Sequence, residues 1–400
     1  MAVVWRNMTL GDLARAPGGV IQTGPFGSQL HTSDYSSCGT PVVMPTNIRD
    51  LRIDVTGIAR VGQHHVDRLA RHILQDGDII YSRRGDVEKC ALITPDESGW
   101  LCGTGCLLVR IKGINPRYLA YALSLPATRA WIAQHAIGAT MPNLNTDILR
   151  EVPISIPDRE TQDAIAATLG ALDDKIDSNR RARTRARELG SALLATATTS
   201  ATSRMTSLGS VTASITRGVT PQYADDDQNA PLVLNQKCIR DGWVTTSAAR
   251  RMRDKPVADE KRVAGGDILV CSTGTGTLGR VGRWHSGTVF ADSHVSIVKP
   301  QPHAAQPTVL AFCLLQREAD IEALATGSTG QTELNPSRLA SLILTLPNEA
   351  EQRRLEPVLL DLEDKANSLL SEELALSTLR DTLLSELLGN HLVASQGNSR

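Results

Sequence analysis

The feature that most constrains this 400-residue chain is that it repeats itself at an interval of about 190. Leu144-Asn145, a β-like run ending at Pro157, Gln162 and Leu172-Asp173-Asp174-Lys175 appear in the first half. Leu334-Asn335, a β-like run ending at Pro347, Gln352 and Leu362-Glu363-Asp364-Lys365 answer them in the same order. Upstream, Gly77-Asp78-Ile79-Ile80 is matched by Gly266-Asp267-Ile268-Leu269, and Arg49-Asp50 by Arg240-Asp241. Order kept over so long a stretch predicts one structural unit built twice. The length agrees, since one hydrophobic core rarely organises 400 residues.

Each half opens with short β-branched runs separated by Gly, Asp and Ser turns, such as GDIIYS and CLLVRI, then DILVCS and HVSIVKP. A helical stretch begins near Pro116 and near Pro307, followed by one more short strand. Each half closes on a long helix. The first has Asp158 as N-cap and apolar residues Ile165, Leu169, Leu172 and Ile176. The second has Asn348 as N-cap with Glu351 three residues on, then Leu355, Leu359, Leu362, Ala366 and Leu369. Alternating spacings of four and three make a stripe that suits either a core-facing helix or two helices packed along each other. At roughly 40 residues each helix is about 60 Å long, about twice a small domain, so mutual pairing is the simpler account. With a domain between them in the chain, the pairing is expected to be antiparallel, with the two domains at opposite ends. The expected fold class is α+β: two pseudo-repeated mixed α/β domains joined by two long helices forming an antiparallel coiled coil. The expected boundaries are 1–157, 158–199, 200–347, 348–390 and a flexible tail 391–400, with the Thr/Ser/Ala-rich stretch Thr196 to Ser207 between the halves.

Charge and composition exclude several functions. The net charge is −1, so this is not a strongly basic non-specific nucleic-acid binder. The distribution is uneven: residues 200–300 carry 13 basic against 9 acidic side chains, and 348–400 carry 5 against 10. Local basic loops on DNA therefore remain open beside ordinary solvated charge. Aromatics make up 3%, too few for rows of stacked rings. Seven irregularly spaced cysteines point to a reducing compartment, and the absence of a long apolar run gives no support for membrane spanning. A cytoplasmic protein is expected.

Motifs that look catalytic lack their context. Gly274-Thr275-Gly276-Thr277-Leu278-Gly279 spells GxGxxG, but RVGRWHSGTVF follows where a helix would have to open. Asn115-Pro116-Arg117-Tyr118 resembles the Asn-Pro-Pro-Tyr/Phe motif of amino-methyltransferases without its second Pro, and helix initiation explains Pro116. Cys90, Cys102 and Cys106 lack a second close ligand pair for zinc and read as buried small hydrophobes. His64-His65 and Asp225-Asp226-Asp227 have no partners at metal-ligand spacing. No catalytic or metal residue is expected.

Together these features resemble the specificity subunit of type I restriction-modification systems (the HsdS family) over nearly the whole chain. The most specific pieces are Thr23-Gly24-Pro25-Phe26-Gly27-Ser28-Gln29-Leu30, Gly39-Thr40-Pro41-Val42-Val43 running into Asn47-Ile48-Arg49-Asp50, and Gly77 to Gly85. Gly266 to Leu269 with Ser272-Thr273-Gly274 repeats the last of these. Gly327-Ser328-Thr329 before Leu334-Asn335 resembles a domain-to-spacer boundary, as does Gly138-Ala139-Thr140, one residue closer to Leu144-Asn145. The second half has Arg217-Gly218-Val219-Thr220-Pro221 in place of the Gly-Pro-Phe-Gly-Ser element.

The resemblance implies two target-recognition domains, each reading half of a split double-stranded DNA target. The helices, the family's central and distal conserved regions, set the half-site spacing and dock two methyltransferase subunits. S-adenosylmethionine, ATP and Mg are implied only for those subunits and a motor-nuclease subunit, so this chain is a non-catalytic member with no cofactor of its own. The alternative is a tandem-repeat scaffold that binds proteins without reading DNA. Base edges are read by loop donors and acceptors. The candidates are Gln22, Thr23, Asn47, Ser82, Arg83, Arg84 and Lys89 in the first half. In the second they are Thr220, Gln222, Tyr223, Gln236, Lys237, Ser272, Thr273 and Arg280. Arg180, Arg181, Arg183, Arg185 and Arg187 on the first long helix suit helix pairing, solvent, phosphates or a subunit.

Overall fold

A computed structural model describes residues 3–138, 141–327 and 332–389. Ala139, Thr140, Ser328 and Thr329 of the boundary motifs, and the tail 391–400, lie outside the described residues. The chain divides into two units: Met1–Ile176 with Leu374–Arg400, and Asp177–Glu373.

In the first unit the strands Val20–Thr23, Cys106–Arg110, Ile79–Ser82 and Cys90–Leu92 form an antiparallel sheet in that order. A second sheet orders Leu101–Cys102, Thr40–Val43, Ala59–Val61 and Tyr35–Ser36, with its first pair parallel. The ribbon Arg6–Thr9 with Pro153–Ile156 and the hairpin Ile48–Arg49 with Arg52–Ile53 complete the β structure. The unbroken apolar runs of the sequence are explained by burial of both sheet faces. Ile79, Tyr81, Leu107 and Val109 face one core with Tyr118, Leu119 and the long helices, whereas Ile80, Leu108 and Cys106 face another with Val43 and Ile48. Each such fully buried aliphatic side chain contributes about 1.5–3 kcal/mol.

The second unit repeats this plan. Thr212–Arg217, Val295–Pro300, Ile268–Cys271 and Val281–Arg283 form its antiparallel sheet. Arg250–Arg251, Leu232–Leu234, Val289–Ala291 and Arg262–Val263 form the other, here with the central pair parallel. The ribbon Arg204–Ser207 with Ile343–Leu346 and the hairpin Ile239–Arg240 with Trp243–Val244 match those of the first unit. Hairpin geometry accounts for one repeated pair: Asp50 and Asp241 both sit at positive φ, 45° and 53°, where Asp is among the residues that tolerate a left-handed backbone.

The first long helix runs Arg159–Thr198 and the second Glu349–Leu384, the latter continuing through a wider turn, Ser385–Gly389. Both predicted caps form: Asp158 Oδ1 accepts from Thr161 N at 2.9 Å, and Asn348 Oδ1 from Glu351 N at 3.0 Å. Within each unit the helices lie antiparallel. In the first, Ile165 and Leu169 share a core with Leu384 and Leu388, and Arg380 Nη1 donates to Asp173 Oδ1 at 2.9 Å. In the second, Leu194 and Ala197 share a core with Leu355 and Leu359, and Arg180 Nε donates to Glu373 Oε1 at 2.7 Å.

The seam is more polar than its spacing suggests. Ile165, Leu169, Ile176, Leu355, Leu359 and Leu369 are buried, but Leu172 and Leu362 are only half-buried. The buried places beside those two belong to Asp173 and Glu363. Pro357 lies inside the second helix and takes one N–H out of its ladder. Of the five helix arginines, Arg180 and Arg183 pair with Glu373, Arg187 donates to the Asp241 carbonyl, and Arg181 and Arg185 are exposed.

Candidate nucleic-acid interface

In the first unit, backbone hydrogen bonds draw four loops to one edge of the main sheet. Gly24 N donates to Cys106 O, Arg83 N to Gly105 O, Leu144 N to Arg83 O, and Gly85 N to Pro142 O. Behind this rim Asp78 anchors the strand start, accepting two bonds from Arg110 at 2.7 and 2.6 Å. The second unit has the same anchor in Asp267 with Lys299, 2.6 Å. That explains the repeated Gly-Asp before each central strand. Gln162 and Gln352 have matched roles too. Each accepts from the backbone N–H of a residue leading into a Pro-initiated helix, Asn115 or Gln306, and donates to the carbonyl of Pro157 or Pro347.

Not every candidate reader reaches the surface. Asn47 is buried: its Oδ1 accepts from Met44 N and its Nδ2 donates to Asp54 O, so it shapes a turn rather than facing a ligand. Ser82 is buried and donates to Arg84 O. Ser272 is buried against Ser296 Oγ at 2.7 Å. These three leave the reading set, because a short polar side chain behind a strand end satisfies the backbone before it can meet a base.

The others stay at or near the rims. Arg84 is exposed, and Arg83 is half-buried with Nε lacking a hydrogen-bond partner. Thr23 ends its strand half-buried, Gln22 donates to Arg71 O at 2.6 Å, and Lys89 pairs with Asp86. In the second unit Thr220, Gln222, Tyr223 and Lys237 are exposed. Thr273 Oγ1 lies 2.7 Å from His294 Nδ1, and Arg280 donates to Gly276 O. Gln236 Oε1 is buried without a hydrogen-bond partner. A Cβ at Gly274 would stand 2.7 Å from Gln236 Nε2, and φ there is +98°, so glycine is required. The GxGxxG run passes through turns into the strand Val281–Arg283, with no helix.

Sequence reasoning missed Arg217, which donates to the carbonyls of Ser293 and Leu334 and pairs with Glu333 at 2.6 Å, tying the second rim together. It also missed Arg250, which lies over the Tyr223 ring, and Asp225, which pairs with Arg250.

Among the described residues no group of His, Cys, Asp and Glu could hold a metal, and no helix is long and apolar enough to cross a membrane. All seven cysteines are free. Burial pushes the thiols of Cys90, Cys102, Cys271 and Cys313 up to about 12, which leaves them inert.

Residues 5–186 match the family model for the type I restriction modification DNA specificity domain. A curated relative, the type I restriction enzyme HindI specificity subunit of Haemophilus influenzae, is 23% identical over 200 residues. Those residues are 47% of this chain and 39% of the relative, so the match spans about two fifths of that protein's length. A solved structure, the type I restriction-modification system S subunit from M. genitalium, has the same fold: TM-score 0.62 at 16% identity, covering 96% of each chain.

Proposed function

We propose that the chain is the DNA sequence-specificity subunit of a type I restriction-modification complex. The observation that carries this is the doubling: one two-sheet plan, with loops gathered at the same sheet edge, is built twice, each time against antiparallel segments of the two long helices. Two like reading units in one chain suit a bipartite target. On this reading residues 1–157 and 200–347 are the recognition domains, and 158–199 with 348–390 are the spacer helices that dock two methyltransferase subunits. A motor-nuclease subunit joins for restriction. The chain contributes no catalysis and no cofactor; S-adenosylmethionine, ATP and Mg belong to its partners, and the complex works in the cytoplasm.

The proposed readers are Gln22, Thr23, Arg83, Arg84 and Lys89 in the first domain. In the second they are Thr220, Gln222, Tyr223, Gln236, Lys237, Thr273 and Arg280. Exchanging residues 208–346 for those of another family member, then mapping methylated adenines in the host genome, tests the reading. One half of the motif is expected to change and the other to stay; an unchanged motif ends the proposal. Arg84→Ala is expected to relax one position of the first half-site by about 1–3 kcal/mol and leave the second untouched, measured by duplex-binding competition.

A further inference from the structure

Exposed arginines normally sample many rotamers, and fixing one on binding costs affinity. Arg250 is fixed already. Its guanidinium carbon lies 3.3 Å from the centre of the Tyr223 ring, in a stacked cation–π contact. Its Nε donates to Asp225 Oδ2 at 2.9 Å and Nη2 donates to the same carboxylate. Asp225 is held in turn, since its Oδ1 accepts from Arg251 N at 3.0 Å. Its neighbours are proposed readers: Gln222 O accepts from Arg253 N, and Thr220 O from Lys255 Nζ. Yet the assembly is open to solvent, with Arg250 46%, Asp225 47% and Tyr223 44% exposed.

We propose that Arg250 reads a guanine in the half-site of the second unit, with Tyr223 and Asp225 as its positioning residues. The inference rests on the DNA-reading function above. Asp225 occupies the Nε side of the guanidinium, which leaves the terminal N–H groups as a fork matching guanine O6 and N7. The carboxylate also cancels the arginine's charge and repels phosphate, so the pair is built for a base edge rather than the backbone. Among its described residues the first unit lacks this device. There Tyr35 holds the corresponding strand position opposite Val61, as Tyr223 is opposite Met252. The nearby Arg60 donates to Gly39 O instead of to a carboxylate.

The test selects target duplexes with the full chain, then measures affinity for three probes: the selected duplex, one with 7-deazaguanine at each second-half guanine in turn, and an unrelated duplex. Arg250→Ala and Arg250→Lys should each weaken the selected duplex roughly tenfold to a hundredfold, leaving the unrelated duplex and the salt slope nearly unchanged. 7-Deazaguanine at one position should weaken the natural chain but not Arg250→Ala. Asp225→Asn should lower discrimination while the unrelated duplex binds as tightly or more tightly. Thermal midpoints equal to that of the natural chain show that the variants fold.

A parallel loss on both duplexes, with the salt slope falling by about one, makes Arg250 a phosphate contact and overturns the proposal. Unchanged binding in Arg250→Ala, or a second half-site without guanine, overturns it as well while the specificity function stands. If the natural chain selects no sequence at all, both readings fall together.

Discussion

The two units share a plan but not the side chains that hold the buried carboxylates of their long helices. At matched positions each buries a carboxylate in a helix, Asp173 in the first and Glu363 in the second. Asp173 is held by the Tyr121 hydroxyl, from the helix Pro116–Ser124, and by Arg380. Glu363 is held by Arg283, from a strand of the main sheet, at 2.6 Å, with His285 Nε2 at 3.3 Å. Duplication thus preserved where the negative charge lies and left its partner free to change. A buried charge needs some close partner, but nothing in the fold dictates which.

The contrast is broken most sharply at those carboxylates. Glu363→Ala leaves the guanidinium of Arg283, only 11% exposed, without its partner, and is expected to cost the second unit about 3–5 kcal/mol. Asp173→Ala should cost the first unit less, about 1–3 kcal/mol, because Arg380 keeps Asp381. Urea unfolding followed by hydrogen exchange in each unit separates the two.

A difference in acid response comes next. His72 in the first unit is buried, and burial, reinforced by the charge of Arg71, lowers its pKa to about 4. Unfolded, it protonates near 6.5. Stability should therefore be full above about pH 6.5 and fall, by at most about 3 kcal/mol, as the pH drops towards 4. His72→Phe should remove that part of the pH dependence. His72 ends the turn Ala70–His72, and the matching turn of the second unit, Asp259–Lys261, has no histidine, so exchange in its sheets should lack this component.

The smallest expected effect is one that should not distinguish the units. Gln162→Ala and Gln352→Ala each remove two hydrogen bonds to the backbone and should cost about 1–2 kcal/mol apiece. Unequal losses would mean that the two helix starts are not equivalent supports.

Much of this architecture is legible in the sequence. The central strands show as apolar runs, Pro116 and Pro307 open helices, and Asp158 and Asn348 cap the long ones. The repeated Gln162 and Gln352 were visible as letters, though their bonds were not. Half of the candidate site's character was not legible. Asn47, Ser82 and Ser272 read as loop donors and fold as buried supports, while Arg250 and Asp225 gave no distinguishing signal.

The duplication shows in the order of its repeated letters, and the element types and caps follow from backbone preferences and spacings within a few residues. Tertiary structure alone decided which polar groups turn inward. Ser272 meets Ser296, Arg283 meets Glu363 and Asp173 meets Arg380 across 24, 80 and 207 residues. The fate of a polar side chain is set by whether a distant partner arrives to replace water, and no local pattern records that.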